Sequence, residues 1–318
     1  MKNIAVVTGG SAAERSISLK SADVVCRHLD PYKYFPYKIV LNEKEWVVES
    51  EGNIISIVDK NDFSAVIGGN KILFDQVFVA LHGTPAEDGK LQGYFDLLGI
   101  PYNCCGVFAA ALTFDKSRCK EYLKNYQIPS ASSKVFSMHN SSDFEVPFSY
   151  PVFVKPNKNG SSYGASKVDS PTHLKTAIEN AFRYDDEVMV EEYLEGTEVT
   201  CGVIKIQGKP TALPITEIRS KNVFFDFEAK YQGASEEITP AQISPQLTLS
   251  IQQTSVNIYQ ALGMKGMCRI DYIVKENSYY MLEVNSIPGL SEESIVPQQA
   301  RAFGLSLTEL FSLTLEDN

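Results

Sequence analysis

Met267-Cys-Arg-Ile-Asp-Tyr-Ile-Val-Lys-Glu-Asn-Ser-Tyr-Tyr-Met-Leu-Glu-Val-Asn285 reads as two strands, Met267 to Val274 and Tyr279 to Asn285, joined by a short polar turn. Strand side chains alternate with period 2, so Arg269 and Asp271 share a face, as do Glu283 and Asn285. Ile270, Tyr272, Leu282 and Val284 take the other face and can be core. If the hairpin loop has an odd number of residues, Asp271 lies opposite Glu283. Three oxygen-bearing side chains then converge beside one arginine. Hard cations such as Mg²⁺ take such ligands, usually one or two carboxylates completed by phosphate oxygens. Taken alone, the same face also reads as a solvated surface carrying an ion pair. The turn Ser286-Ile-Pro-Gly289-Leu290 tilts the balance towards a site, because it brings backbone donors to the same point.

Working outward, Asn3 to Thr8 is a short apolar run that reads as a buried strand. Gly9-Gly10 turns the chain, and Ser16 to Leu29 has helical spacing, the usual opening of an α/β domain. Tyr37 to Leu41, Glu45 to Val48 and Val77 to Leu81 read as further strands, and Lys90 to Leu98 as a helix ended by Gly99. Asp115 to Lys124 is a helix, Ile128 to Phe148 a Ser-rich loop with at most one strand, and Val152 to Lys155 a strand. Pro171 to Phe182 is a helix and Glu187 to Glu191 a strand. Beyond these come strands at Glu198 to Ile206 and Ala212 to Ile218, and helices at Leu247 to Leu262 and Leu305 to Leu315. Breaks near Asn103 and Glu191 divide the chain into units of residues 1–103, 104–191 and 192–318.

The 318 residues carry 29 Lys plus Arg against 39 Asp plus Glu, a formal charge of −10. That balance argues against a sequence-independent nucleic-acid binder, which needs a basic stripe, and against docking on anionic lipid. A small anionic ligand stays open, since it needs only a few local cations. No run approaches the roughly 18 apolar residues of a membrane helix, and the start shows no signal-peptide core. The six cysteines form no CxxC and read as reduced cytosolic thiols.

Four further features carry chemistry. A strand delivers Lys155 to the loop Asn157-Lys-Asn-Gly160-Ser161-Ser162-Tyr-Gly164, which reads either as a plain surface loop or as a backbone cradle for phosphate. It is no Walker A loop, because no Gly-Lys-Ser/Thr follows the glycines, and Gly9-Gly10 makes no GxGxxG fingerprint. Lys116 opens a helix, and Lys230 and Tyr231 close the stretch Phe224-Phe-Asp-Phe-Glu-Ala-Lys-Tyr231, whose aromatics can equally be core. His82-Gly83 ends an apolar strand and precedes Glu87-Asp88-Gly89. Glu14 follows Gly9-Gly10 at a helix start, where a carboxylate is favourable in itself and could also pair with an ammonium.

In this order the segments resemble the ATP-grasp superfamily and, within it, the D-alanine–D-alanine ligases. The carrying stretches are Gly9 to Arg15, His82 to Gly93, Asp115-Lys116, Val154 to Gly164, Phe225 to Tyr231, Arg269-Ile-Asp271 and Glu283 to Pro297. The resemblance covers nearly the whole chain, with gaps at about 42–75 and 130–150. It implies a three-domain ATP-grasp architecture with an N-terminal Rossmann-like domain and ATP held between the other two. ATP would phosphorylate one D-alanine, and the amine of a second would displace phosphate to give D-alanyl-D-alanine, a peptidoglycan precursor. Alignment and cancelled charge are what such a phosphoryl transfer asks of a protein.

The resemblance also assigns roles. ATP comes with two Mg²⁺, replaceable by Mn²⁺, on Asp271, Glu283 and Asn285. Lys116 and Lys155 hold the α- and β-phosphates, and Lys230 meets the transferring group. Glu191, Glu192, Tyr193 and Leu194 form the adenine hinge, Glu198 takes the ribose hydroxyls, and Ser162, Phe224 and Leu282 also line the nucleotide. Glu14 fixes the first D-alanine's ammonium, with His82 near its carboxylate. Arg269 and the Gly289 N–H stabilise the oxyanion, and Ser294 and Ile295 hold the second D-alanine. Ser161 and Tyr231 bond towards Glu14 and close a lid that excludes water. A cytoplasmic homodimer is implied as well. Ala12, Ala86 and Asn103-Cys104-Cys105 depart from the family pattern without removing a charge from the site.

Three competing readings are weaker. Tyr231 argues against a D-alanine–D-lactate ligase, whose lid carries histidine in that role. Asp271, Glu283, Asn285, Arg269 and Lys230 together argue against a nucleotide-binding regulator that has lost catalysis. The Glu14 and His82 segments argue against a biotin-dependent carboxylase.

Overall fold

The computed structural model describes residues 1–10, 14–139, 144–160, 162–220 and 235–317. Strand β1 (Lys2–Gly9) is covered on both faces, with Ile4, Ala5, Val6 and Val7 fully buried, as its uninterrupted apolar run requires. It pairs in parallel with β2 (Tyr34–Leu41) and β7 (Gln76–Val79), and α1 (Arg15–His28) makes the crossover. Gly9 turns the chain at φ 106°, and a Cβ there would lie 2.5 Å from the Leu41 carbonyl oxygen, so no other residue fits. The sheet continues antiparallel through β3 (Trp46–Ser50), β4 (Asn53–Asp59), β5 (Ser64–Ile67) and β6 (Asn70–Ile72), in the order β6-β5-β4-β3-β2-β1-β7. The last three lie in the stretch that gave no sequence reading. Ile54, Ile55 and Ile57 of β4 are all exposed and only Val58 is buried, so its isoleucines do not mark a buried face. Helix α2 (Lys90–Leu98) ends at Gly99 with φ 68°, as read from the sequence.

The second sheet is antiparallel: β10 (Ser166–Val168), β9 (Val152–Pro156), β11 (Glu187–Glu192) and β8 (Ser133–Ser137), in that spatial order. Helix α5 (Pro171–Ala181) covers it and buries Leu174 and Ile178 against Val152, Val154, Val188 and Val190. Before this sheet come α3 (Val107–Phe114) and α4 (Lys116–Lys124). The Asp115 carboxylate caps α4 by accepting the Arg118 N–H at 3.1 Å.

The third sheet runs β15 (Ser235–Ile238), β14 (Thr216–Ser220), β12 (Thr197–Ile206), β16 (Met267–Lys275) and β17 (Ser278–Asn285), and β13 (Lys209–Ala212) also pairs with β12. The single strand expected over Ala212 to Ile218 is therefore two, β13 and β14. Pro214 lies between them and has no N–H to give the ladder. Helices α6 (Pro245–Ala261), α7 (Ile295–Phe303) and α8 (Leu307–Glu316) complete the unit. Helix α7 was not anticipated, although Ser294 as cap and Pro297 in the first turn announce it. Among the described residues no helix is long and apolar enough to cross a membrane. All six cysteines are free, and all but Cys26 are buried.

Candidate active site

The β16–β17 hairpin takes the register that the period-2 reading required: Arg269 faces Asn285 and Asp271 faces Glu283. The Asp271 carboxylate is held on every side. It accepts Arg269 Nε at 2.8 Å and Nη2 at 2.7 Å, Asn285 Nδ2 at 3.0 Å, and the buried Thr200 hydroxyl at 2.5 Å. A bulge follows, because Asp271 pairs with Glu283 but Tyr272 pairs with Met281. Leu282 is the extra residue. Simple alternation gave it to the core; the bulge turns it instead into a cavity, alongside Asp271, Ile273 and Glu283.

That cavity measures about 510 Å³, within the usual range for a small-molecule ligand. It lies between the second and third sheets. Lys116 and Lys155 line it from one side, and Glu198, Asp271 and Glu283 from the other. Ser162 and the run Glu191, Glu192, Tyr193 and Leu194 form further walls. Lys116 Nζ donates to the Asn159 carbonyl at 2.6 Å and lies 3.4 Å from Glu283 Oε2. Glu192 accepts the Ser132 N–H at 3.0 Å, and the Lys167 ammonium sits 4.4 Å from the Tyr193 ring centroid.

Lys155 Nζ is 2.6 Å from Glu191 Oε1, and the other Glu191 oxygen accepts from Lys120. Burial alone would pull the Lys155 ammonium down, but Glu191, Glu283 and Glu198 outweigh it and raise its pKa. Glu191 is likewise pushed up by burial and drawn down further by its two lysines, ending below its ordinary value.

Asp271, Glu283 and Asn285 fit a hard cation. The hairpin brings two carboxylates and a carboxamide together, with Asp271 opposite Glu283 and bonded by Asn285, and Glu283 lies 3.4 Å from Lys116. Among the described residues no group of three or more His, Cys, Asp or Glu forms a metal cage. An ion here would complete its shell with phosphate oxygens and water, the ordinary habit of Mg²⁺.

A second, smaller cavity of about 120 Å³ shares Gly160 and Glu283 with the first. Glu14, His82 and Glu87 reach it from the first sheet's unit. Arg269, Asn285, Gly289, Ser294 and Ile295 reach it from the third. Glu14 lies so near the loop that a Cβ on Gly160 would sit 2.5 Å from Glu14 Oε1. His82 is buried; its Nδ1–H donates to the Ile287 carbonyl at 3.2 Å, so Nε2 accepts from Ser21 Oγ at 3.1 Å. Burial lowers the His82 pKa, which keeps the ring neutral in that tautomer. Gly289 packs close on Ser294, where a Cβ would meet Oγ at 2.7 Å, and Ser294 stands at the N-cap position of α7 ahead of Ile295, its hydroxyl paired with that of Ser291 at 2.7 Å.

Glu87, Glu237 and Glu293 add carboxylates to this pocket, and Arg269 supplies positive charge. Glu87 is pushed up to about 8 by burial and then by the charge of Glu14. The sequence alone assigns no role to Lys120, Glu87 or Glu237, which the fold brings to the two cavities or directly behind them. Lys120 carries a signal, since it is four residues past Lys116 on the same helix face. Ser161, Phe224, Lys230 and Tyr231 lie outside the described residues.

Comparison with known proteins fits this geometry. Residues 3–105 match the family model for the D-ala D-ala ligase N-terminus, and residues 124–316 match that for the C-terminus. The D-alanine–D-alanine ligase of Flavobacterium johnsoniae is 47% identical, with 99% of each chain covered. That of Azobacteroides pseudotrichonymphae is 45% identical, again with 99% of each covered. Among solved structures, the VanG D-Ala:D-Ser ligase of Enterococcus faecalis superposes with a TM-score of 0.87 at 32% identity, covering 99% of this chain and 98% of that one. The D-alanine–D-alanine ligase of Bacillus anthracis, complexed with ATP, superposes at 0.81 and 27% identity, covering 100% and 97%. With both halves matched and relatives similar from end to end, the chain belongs to the D-alanine–D-alanine ligase family.

Proposed function

We propose that this protein is an ATP-dependent D-alanine–D-alanine ligase supplying a dipeptide for peptidoglycan. One observation carries the reading. A lysine-bearing cavity large enough for a nucleotide shares the walls Gly160 and Glu283 with a small pocket lined by Glu14 and Arg269. An amino-acid carboxylate in the small pocket can thereby meet a terminal phosphate from the large one.

A carboxylate is a poor acyl donor, and phosphorylation gives it a leaving group. Lys116 and Lys155 hold the polyphosphate, and Glu191 to Leu194 with Glu198 and Leu282 receive the nucleoside. Two Mg²⁺, or Mn²⁺ in their place, would sit on Asp271, Glu283 and Asn285 and supply charge that offsets the phosphates when bound. Glu14 anchors the first D-alanine by its ammonium. His82 holds the Gly289 loop in register through Ile287. The second amine attacks the acylphosphate carbonyl, the oxyanion develops beside Arg269 and the Gly289 N–H, and phosphate leaves. Ser294 and Ile295 border the second amino acid. Ser161, Phe224, Lys230 and Tyr231 keep the lid and nucleotide roles that the resemblance gives them. Units of residues 1–103, 104–191 and 192–318, a homodimer and a cytoplasmic setting complete the reading. The free cysteines support the last.

The test is product mass and phosphate release with ATP, Mg²⁺ and D-alanine, D-serine or D-lactate. D-alanyl-D-alanine with one phosphate per dipeptide is expected. No phosphate with D-alanine overturns the reading, and preferential use of D-serine in the second position would reassign the substrate.

A further inference from the structure

We propose that Lys120 is a positioning residue for nucleotide binding: it neutralises Glu191 from behind, so that the positive charge of Lys155 is not cancelled by Glu191 towards the polyphosphate. The inference rests on reading the large cavity as the ATP site.

The geometry is specific. Glu191 and Lys120 are each only 3% exposed at the side chain. Glu191 places one oxygen on Lys120 and the other 2.6 Å from Lys155 Nζ. Lys155 and Glu191 line the cavity, whereas Lys120 is not among its walls and cannot touch a ligand there. Its effect must pass through the carboxylate. With one lysine, the Lys155–Glu191 pair would carry no net charge and offer a polyanion little. With two, the triad carries one net positive charge, and Lys155 is the lysine of the triad that faces the cavity. Phe153 adds an aromatic face 5.9 Å from Lys155 Nζ, which further confines the ammonium.

Helix α4 explains the delivery. Lys116 and Lys120 are four residues apart and share a face. The Asp115 cap starts the helix where Lys116 can reach the Asn159 carbonyl, so one turn later Lys120 meets Glu191. A buried ammonium is expensive unless paired, and Glu191 is its partner.

The experiment compares Lys120→Met, Lys120→Gln and Lys120→Arg by steady-state kinetics and by calorimetric titration with ATP and with adenosine. Lys120→Met should raise the KM for ATP about tenfold, the worth of one charge-assisted hydrogen bond, with kcat changed much less. Lys120→Arg should restore most of the loss. The loss should be specific to the polyphosphate, so that affinity for adenosine stays as in the wild type. An unchanged KM in Lys120→Met, or an equal loss for adenosine, overturns the proposal. If Lys120→Met does not fold, Lys120→Gln decides: it should show the same loss for ATP, and wild-type ATP affinity overturns the proposal. Wild-type protein that binds no ATP would instead refute the nucleotide reading of the cavity.

Discussion

Glu283 shows at the scale of one residue what the site asks of each. Its carboxylate stands opposite Asp271 and 3.4 Å from Lys116, on the wall shared by the two cavities. Glu283→Gln is expected to abolish ligation and to weaken ATP binding in the presence of Mg²⁺ while changing it little in EDTA. Equal loss in both conditions would remove Glu283 from the metal. Gly160 makes the complementary case, since its role is to be small. Its side-chain hydrogen is all that separates the loop from Glu14, so Gly160→Ala should displace the carboxylate and raise the KM for D-alanine about tenfold or more. The KM for ATP should move less, and parallel rises would point to a collapsed loop instead. The shared face of Arg269, Asp271, Glu283 and Asn285 was legible because alternation along a strand is geometry. Leu282 was placed at the nucleotide by the resemblance and not by alternation, because a bulge breaks alternation without leaving a mark in the residue types. Lys120 shares a helix face with Lys116, but in Lys-Ser-Arg-Cys-Lys-Glu-Tyr-Leu-Lys124 a lysine also reads as solvated, and only the fold brings Glu191 to it.

At the scale of elements, α4 depends on its first turn. Asp115 caps it, and Arg118 reaches back to Asp115 and across to Glu187 on β11, 3.0 Å from Oε2. Bonds from Arg118 and Lys158 lower Glu187 to about 2. Asp115 is raised by burial but lowered more by the Arg118 N–H, Asn157 and the Arg118 guanidinium. Both carboxylates thus titrate below their unfolded values, so the stabilisation is complete above about pH 4.5 and is lost as pH falls towards 2. The wild-type melting temperature should fall over that window. Arg118→Ala should flatten the fall, though only partly, because the Arg118 side chain is 59% exposed and solvent screens the pair. An acid limb identical in the two proteins would show that this corner does not set it. The sequence shows elements of this kind well where a cap, a proline or a buried face marks them, as with α2, α5 and β16. It shows β4 to β6 poorly, because exposed isoleucines on a sheet extension carry no inside–outside pattern.

At the scale of the whole molecule, the packing crosses the sequence divisions. Ile4, Val6 and Phe78 of the first sheet share one core with Ile204, Leu213, Met267 and Phe311 of the third unit. Helices α3 and α4 bury Ala109, Ala110 and Leu123 against Val199, Ile258 and Tyr272, whereas the second sheet keeps a core of its own. The chain's two ends should therefore unfold together, with the second sheet more independent. Phe311 tests this, being fully buried with its ring 5.5 Å from that of Phe78. Phe311→Ala should cost about 3–5 kcal/mol, as large-to-small changes in a core do. The informative readout is where hydrogen-exchange protection disappears. If the ends form one cooperative unit, amides of β1 and β7 lose protection along with those of α8, while β9 and β11 keep theirs. Loss confined to residues 307–316 would mean that α8 is only laid against the first sheet. The coupled outcome would also tie Glu14 and His82, which ride on the first unit, to Arg269 and Gly289 on the third. The small pocket would then exist only while both ends of the chain are folded against each other.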